Sequence, residues 1–597
     1  MKRLSTRGLS AVLLLLGFDL PAAAATSHEQ LVSLAQDCVY TSARVHPILA
    51  TELGIPGHDG ELEMRSEAWR AADVTRHQQW LARLDAIVAG FTPDTSMVDR
   101  DDARLLRAQL TRDLNQLLVY QSDRKDYSAP GNSVVNAVFI QFQRLPVPGR
   151  DGATAADQRR AWDDITHRLS LTLAYITAYR SLVTMPCHLF GVVGSKELAG
   201  APEFLNGALS DAARTQLGER SADYANFLRA RDGALKSIAD LKAYIDAHAA
   251  EWPENYAMGR EAYDRMLKEE QLLPFTANDV TRMGEDELAH GWAEEAWLQD
   301  LARRSGVALG APSGGGLAPG GPALIGYYRE RIAELGKFVT DTEVVTIPSW
   351  LGTMEILETP SFLQPVSPGA SMNPPRLFDR STTGYYYITP PKSLEEAAAR
   401  LDMNEDFDRD RILSTAAHEA MPGHFMQLSI AKRHPDFIRK IQDSGAFAEG
   451  WAFYGEEMFV RLGLYGQRLD ARLQTARWER VRGARAICDP RLASGEWSYA
   501  QAVEFFARET GFTKEQAEAS VAMIAENPGY VIAYTVGRQQ IELLLAEYLR
   551  RTQGKGSLRD FHDRLLSYGT TPVAIVGPEL LADLDKPASA VRAAANY

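Results

Sequence analysis

Cysteine is scarce in this chain of 597 residues, which contains only Cys38, Cys187 and Cys488. Three cysteines allow at most one disulfide and form no C-x-x-C pair of the kind that binds structural zinc. The fold therefore has to rest on a hydrophobic core. The composition, 45% hydrophobic and 24% charged, is ordinary for a globular protein.

Long hydrophobic runs are also missing, since no segment approaches the roughly 18 uninterrupted apolar residues of a membrane helix. The apolar run from Leu9 to Phe18 is short, follows three basic residues and precedes an Ala-rich segment, which is the pattern of a secretory signal peptide. We predict a signal peptide over residues 1–25. No cysteine lies near the cleavage site, so we expect a periplasmic or secreted protein without a membrane anchor.

Positive charge is in the minority, with 64 Lys and Arg against 78 Asp and Glu and a net charge of -14. Removal of the signal peptide moves that charge to about -16, because three basic residues and one acidic residue leave with it. Binding to phosphate backbones requires a basic face. A nucleic-acid partner is therefore not expected.

Helical periodicity dominates the chain. Residues 102–120 place leucines at steps of one, three and four, and residues 221–249 behave similarly, which predicts core-facing helices. Between 343 and 391 the pattern changes to short β-branched or aromatic segments bounded by Gly and Pro: EVVTIPSW, MEILETPSF and GYYYITPP. These segments predict a small β-sheet in a mainly α-helical protein.

A pair of histidines follows the predicted sheet, in STAAHEAMPGHFMQLSIAKRHP (414–435). Histidines four apart, as in the H-E-x-x-H zinc motif, face the same way on a helix. His418 and His424 are six apart, and an unbroken helix would point them about 120° away from each other. A straight helix therefore cannot bring both histidines to one metal ion.

Pro422 and Gly423 supply a break between the two histidines. Pro422 has no N–H to donate and its ring clashes with the preceding turn, so the helix has to widen or unwind there. Gly423 can adopt the unusual backbone angles of an expanded turn. The break could return His424 to the face of His418. A kinked core helix with two buried histidines is the alternative.

A second stretch, AFAEGWAFYGEEMF (446–459), supplies carboxylates on an apolar helix face. Glu449 and Glu456 lie seven residues apart, so they share that face. Two histidines and one glutamate would leave one position of a tetrahedral zinc open for water, as catalytic sites require. Pairing of Glu449 with a buried arginine is the alternative.

Three blocks, HEAMPGH, FAEGWAFYGE and NPGYVIAYTVGRQQI, together resemble the bacterial family of domain of unknown function 885. The second block is also similar to the helix of gluzincin peptidases that carries the third zinc ligand. This resemblance implies that His418, His424 and Glu449 bind Zn²⁺ and that Glu419 is the general base. Glu456 could hold a ligand histidine in place, or it could be a solvated charge.

The third block offers donors for an oxyanion. Tyr534 matches a tyrosine of the family, and Arg538 follows one turn later on the same helix face. A core tyrosine with a satisfied hydroxyl is the other reading of Tyr534. The segment with Tyr385, Tyr386 and Tyr387 could bind an extended peptide as an edge strand, or these rings could simply pack in the core.

The chain also departs from the family pattern. Arg491 and Ala493 replace a glycine and a histidine that relatives usually have, and Tyr530 stands where they commonly have Gln. If the missing histidine contacts the substrate in relatives, the specificity of this chain has changed or its activity is lost. The intact zinc residues argue against an inactive enzyme.

The sequence thus favours a mainly α-helical protein with a deep central cleft and a small β-sheet beside the metal-site helices. Residues 26–597 form one metallohydrolase domain, open to division into helical halves over about 26–255 and 256–597. The expected function is an exported zinc metallopeptidase of gluzincin type. The alternatives are a zinc amidase or esterase acting on non-peptide substrates and a non-catalytic periplasmic binding protein.

Overall fold

The computed structural model describes residues 26–149, 152–309, 322–359, 370–389, 409–466 and 468–586. The predicted signal peptide over 1–25 lies outside these residues. The described part is mainly α-helical with one small sheet, which confirms the fold class expected from the sequence. No helix in these ranges is long and apolar enough to span a membrane.

Fifteen α-helices precede the sheet within the described ranges, and many begin at a Ser or Thr whose side chain accepts from the third backbone N–H. They are α1 (Ser27–Val45), α2 (Pro47–Leu53), α3 (Glu67–Ala89), α4 (Met97–Asn115), α5 (Ser122–Lys125), α6 (Ala129–Gln143), α7 (Ala155–Ser170), α8 (Thr172–Arg180), α9 (His188–Leu198), α10 (Ala201–Asn206), α11 (Ala208–Ala213), α12 (Ala222–His248), α13 (Arg260–Arg265), α14 (Ala277–Ser305) and α15 (Pro322–Thr342).

The strands and the helices that carry the candidate site come later. They are β1 (Met354–Glu358), β2 (Ala370–Asn373), β3 (Gly384–Ile388), α16 (Arg409–Glu419), α17 (His424–Lys432), α18 (Phe437–Lys440), α19 (Gly445–Leu462), α20 (Leu469–Ala493), α21 (Tyr499–Thr510), α22 (Lys514–Glu526), α23 (Ala533–Arg551), α24 (Leu558–Ser567) and α25 (Val573–Ala582). The helices expected over 102–120 and 221–249 are present as α4, extended by a π-helical turn, and α12.

The sheet has the order β1-β3-β2, with β1 parallel and β2 antiparallel to β3. The expectation that GYYYITP is an edge strand open to a peptide is therefore wrong, because both edges of β3 are already paired. A hairpin or crossover partner cannot be inferred from local sequence, which is why the strand order was not foreseen. Residues 343–350 are also not a strand.

The two faces of β3 pack into different hydrophobic cores. Tyr386 is fully buried with the helices of the second half, and Tyr387 is buried among helices α6 to α12 of the first half. This alternation follows from the period of two along a strand. Tyr386 therefore packs in the core and is not substrate-facing, whereas Tyr387 also borders a cavity.

Two long helix pairs bring the site together. Helix α14 packs along α20, and α19 packs along α23. Gly450 and Gly537 let α19 and α23 approach closely, since a Cβ on Gly450 would lie 2.4 Å from the backbone of Gly537. This contact fixes the position of Glu449 relative to Tyr530 and Tyr534.

Candidate metal centre

The helix that carries the first histidine stops before the second. Helix α16 ends at Glu419, and α17 begins at His424. The break predicted from Pro422 and Gly423 is confirmed, although it separates two helices and does not widen one. Because α17 is a separate helix, His424 is not bound by the spacing of a continuous helix. Its ring lies edge to face with that of His418, with centroids 4.7 Å apart.

Gly423 is required by crowding. Its φ is -64°, so this position does not need glycine for a positive φ. A Cβ at this position would lie 1.8 Å from the carbonyl oxygen of His418. The turn is therefore folded so tightly onto the end of α16 that only a hydrogen fits.

Three side chains from three helices converge on one point. The Nε2 atoms of His418 and His424 each lie 3.3 Å from Oε2 of Glu449. The three potential ligand atoms all lie within 4.8 Å of one another, as the ligands of a metal ion do. The grouping expected from the sequence is thus present in the structure.

Glu449 points one carboxylate oxygen at the two histidines. Its Oε1 accepts a hydrogen bond of 3.2 Å from the hydroxyl of Tyr530, whereas Oε2 is buried and has no well-formed hydrogen bond, although both Nε2 atoms lie 3.3 Å away. A buried carboxylate oxygen without a well-formed hydrogen bond is costly. Two imidazole nitrogens and this oxygen form the donor set that zinc prefers, so the residues fit such an ion.

Glu456 holds His418 from the opposite side. Its Oε1 lies 2.7 Å from Nδ1 of His418, and Arg482 donates two hydrogen bonds of 2.6 and 3.0 Å to the Glu456 carboxylate. A carboxylate on Nδ1 fixes the tautomer and the orientation of a metal-binding histidine. Glu456 is buried, so its alternative reading as a solvated charge is wrong.

The charges of the site depend on one another. Burial opposes protonation of His418, but its contacts with the Glu449 and Glu456 carboxylates outweigh burial and raise the pKa of His418 to about 10. Burial raises the pKa of the Glu419 carboxyl, against the attraction of both histidines. A bound cation requires the neutral imidazole, so metal binding would release a proton here.

Two tyrosines of the third block line the site. The ring of Tyr534 stacks on His418, with centroids 6.0 Å apart, and burial raises the pKa of its hydroxyl well above the ordinary value. Tyr530 contacts Glu449 directly, although the sequence marked it only as a departure from the family. Both hydroxyls therefore remain protonated donors near neutral pH.

Arg538 does not face the metal ligands. Its guanidinium forms ion pairs with Glu287 and with Glu457, the latter at 3.0 Å. The expectation that Arg538 donates to an oxyanion is therefore wrong. The i+4 spacing from Tyr534 was correct, but the carboxylates come from α14 and α19, which the local sequence does not reveal.

The remaining departures from the family lie away from the histidines. Ala493 is buried, and its carbonyl accepts from the N–H groups of Met258 and Gly259. Arg491 lies over the ring of Trp497. Neither position touches the metal ligands within the described ranges.

Two adjoining cavities open between the halves of the chain. One, of about 560 Å³, reaches Tyr530 and is lined from both halves, and the other, of about 660 Å³, reaches Tyr387. They share Gln109, Arg112, Gln442 and Asp443. Tyr385 lies under the Arg144 guanidinium near the second cavity. An elongated ligand could therefore approach the centre along the boundary of the halves.

A second group of side chains that could bind a metal ion, His28, Asp102 and Asp436, brings together three distant parts of the chain. Arg439 occupies one oxygen of Asp102, and Asp436 caps helix α18 with one of its own. His28 lies 3.1 Å from the other oxygen of Asp436. These contacts account for the group as an ion-pair network that joins α1, α4 and α18.

A comparison with known protein families gives a match for this chain. Residues 47–580 match the family described as bacterial protein of unknown function, DUF885. The chain belongs to the DUF885 family. The resemblance inferred from the three sequence blocks is confirmed, and the match includes every candidate residue of this DUF885 protein. No curated protein matches it.

Two solved structures share its fold. One is a presumed lipoprotein of unknown function from Shewanella oneidensis, with 20% identity and a TM-score of 0.71. The other is a presumed lipoprotein from Colwellia psychrerythraea, with 17% identity and a TM-score of 0.75. Each likeness covers 94% of this chain and 100% of the other. At these identities they establish the fold of this DUF885 protein alone.

Proposed function

We propose that this DUF885 protein is an exported zinc-dependent metallopeptidase of gluzincin type that hydrolyses small or extended peptides. One observation carries the proposal. Two imidazole nitrogens and a buried carboxylate oxygen that lacks a well-formed hydrogen bond converge within 4.8 Å, and Tyr530, which contacts the same carboxylate, lines one of the two cavities.

The donor set supports a catalytic ion better than a structural one. His418, His424 and Glu449 supply three ligands, and a structural zinc site would normally have four from the protein. When bound, zinc acts as a Lewis acid that lowers the pKa of a water ligand toward about 7 and polarises a carbonyl. The fourth coordination position, left open for water, favours a hydrolytic function.

The surrounding side chains supply the proton transfers. Glu419 directly follows the first histidine, and its partly buried carboxylate can accept a proton from the attacking water and donate it to the leaving amine. The hydroxyl of Tyr534 or Tyr530 can donate to the oxyanion that develops on the substrate carbonyl. Glu456 keeps His418 in its ligating orientation.

Export is part of the proposal. The first residues have the layout of a signal peptide, and both solved relatives are described as presumed lipoproteins. We infer a periplasmic or secreted enzyme, which would meet peptides outside the cytoplasm.

The metal is tested first. Purified protein should carry about one zinc per chain, because three ligands converge on one point. His424→Ala and Glu449→Ala should each lose most of it, whereas the control His434→Ala should retain it, since His434 contacts Asp436 outside the site. Metal content is measured by mass spectrometry. Stoichiometric zinc in both ligand variants would refute the assignment.

The same preparations are then incubated with a mixed peptide library and with acyl ester and amide substrates. Glu419→Gln should keep zinc and lose activity by about two to four orders of magnitude, because the proton acceptor is removed while the ligands remain. Cleavage of esters or non-peptide amides alone would identify the enzyme as an amidase or esterase. Zinc without turnover of any substrate would favour a binding protein.

A further inference from the structure

The candidate centre is surrounded by arginines that have carboxylate partners, with one exception. Arg482 is bound to Glu456, Arg538 to Glu287 and Glu457, and Arg480 to Glu295. Arg485 lies on α20 one turn after Arg482. Among the described residues, no carboxylate oxygen lies within 4.0 Å of its guanidinium, and its Nε is buried without a hydrogen-bond partner.

Arg485 lies close to the metal ligands. Its guanidinium carbon is 5.7 Å from the ring centroid of Tyr534, and that ring in turn stacks on His418. One aromatic ring therefore separates the cation from a ligand histidine. The same ring also lies 5.3 Å from the guanidinium carbon of Arg482, whose charge Glu456 already balances.

The nearest acidic residue on the same helix does not balance the charge. Asp489 follows one turn after Arg485, but its carboxyl accepts hydrogen bonds from the N–H of Gly529 and the hydroxyl of Tyr263. Burial raises the pKa of Asp489 to about 7, so this group is only partly ionised near neutral pH. Arg485 thus remains a cation without a counter-charge.

An unpaired guanidinium in a partly buried position has a physical cost, since it stays protonated and loses part of its hydration. A guanidinium is well suited to binding carboxylates, because its planar N–H donors can form two parallel hydrogen bonds with one carboxylate. A fixed cation beside a hydrolytic centre therefore indicates where an anionic group of the substrate is bound.

We propose that Arg485 binds a carboxylate of the substrate close to the cleaved bond. The proposal rests on the proposed peptidase function and adds a substrate class: peptides with a free C-terminal carboxylate, or an acidic side chain, near the cleaved bond. An extended chain covers about 3.3–3.6 Å per residue. The single ring between Arg485 and His418 therefore places the carboxylate one or two residues from that bond.

The experiment compares three forms of one peptide sequence on the zinc-loaded enzyme: free C-terminus, amidated C-terminus, and amidated C-terminus with an added Asp near the end. Wild type should favour a carboxylate form by about 30-fold or more in kcat/KM, the equivalent of about 2 kcal/mol for a hydrogen-bonded charge pair. The form that is favoured identifies the source of the carboxylate.

Arg485→Gln should remove this preference by raising KM for the carboxylate form while the amidated form is unaffected. Arg485→Lys should restore part of the preference, because the charge is kept without the paired donors. Arg472→Gln is the matched control. Arg472 lies on the same helix as Arg485, but its side chain is exposed and pairs with Glu294. This control should behave as wild type.

A binding measurement separates this inference from the proposed activity. Calorimetry with metal-free wild type should show tighter binding of the free-carboxylate peptide than of its amide, with the difference lost in Arg485→Gln. Equal affinities in wild type would overturn the inference even if the enzyme hydrolyses peptides. An equal loss of kcat on all substrates in Arg485→Gln would also overturn it, because the arginine would then stabilise the transition state.

Discussion

At the scale of single residues, Glu456 links a ligand histidine to a buried arginine. Glu456→Gln keeps the shape of the side chain but weakens the charge-assisted contact with Nδ1 of His418. We expect the affinity for zinc to fall about 10- to 100-fold, because the partner of a ligand histidine tunes its basicity and orientation. Competition with a chromophoric chelator measures this change.

The neighbouring Glu457 provides a control for that variant. It is also buried and bound to an arginine, Arg538, but it does not contact a histidine. Glu457→Gln should lower the thermal stability without a change in zinc affinity. If both variants bound zinc as wild type does, the contact between Glu456 and His418 would have no influence on the metal.

The sequence predicted the ligand residues better than their surroundings. His418, His424 and Glu449 stood out because histidines and carboxylates on apolar faces need partners, and the structure brings them together. Arg482 and Arg485 were missed, although their spacing of three places them on one helix face. Their significance depends on contacts with α19 and α23, which local sequence does not encode.

At the scale of elements, the break between α16 and α17 is fixed from two sides. The indole N–H of Trp451 on α19 donates a hydrogen bond of 2.8 Å to the carbonyl of Pro422. The turn also presses Gly423 against the end of α16. The same helix that carries Glu449 thus holds the turn that aims His424.

A methyl group at the break should therefore disturb the centre. Gly423→Ala places a Cβ 1.8 Å from the carbonyl oxygen of His418, so the turn has to move. We expect activity to fall about 100-fold or more, since a displacement near 1 Å has that effect on a catalytic group. Zinc content and peptide turnover are the measurements.

Gly233 is a suitable control for this substitution. It is exposed within α12, and a Cβ there meets nothing within 4 Å. Gly233→Ala should stabilise the protein by about 0.5–1 kcal/mol, because alanine is the better helix former. A Gly423→Ala enzyme with normal zinc and activity would show that the tight turn is not needed.

Among the elements, the helices were the easiest to predict. Leucine periodicity identified α4 and α12, and the Pro-Gly pair identified the break. Strand β2 was missed, because Ala370–Asn373 is short and lacks the β-branched and aromatic residues of its neighbours. The central position of β3 is a property of strand order, which depends on contacts distant in sequence.

At the scale of the whole molecule, acidic groups from both halves meet beside the smaller cavity. Burial, together with Glu197 and Asp126, raises the pKa of Glu526 to about 8, well above its ordinary range. Because the folded protein holds this proton more tightly than the unfolded chain does, the free energy of unfolding falls as the pH rises from the ordinary pKa of a glutamate toward 8. Glu526→Gln should therefore have a higher Tm than wild type at about pH 9 and a smaller advantage at about pH 5.

Glu518 lies on the same helix, α22, but its side chain is 41% exposed and pairs with Lys514. Glu518→Gln should show no such pH-dependent gain. Thermal unfolding of the three proteins at both pH values makes the comparison. A constant difference in Tm between Glu526→Gln and wild type across this pH range would contradict the prediction.

The two faces of β3 have a consequence for the order in which the protein can be completed. Tyr387 fills a core whose other members lie between Ile48 and Ala249. A protein is synthesised from its N-terminus, so the helices of the first half leave the ribosome long before Tyr387 does. The first half therefore stays unfinished during synthesis until a strand made more than a hundred residues later arrives to close it.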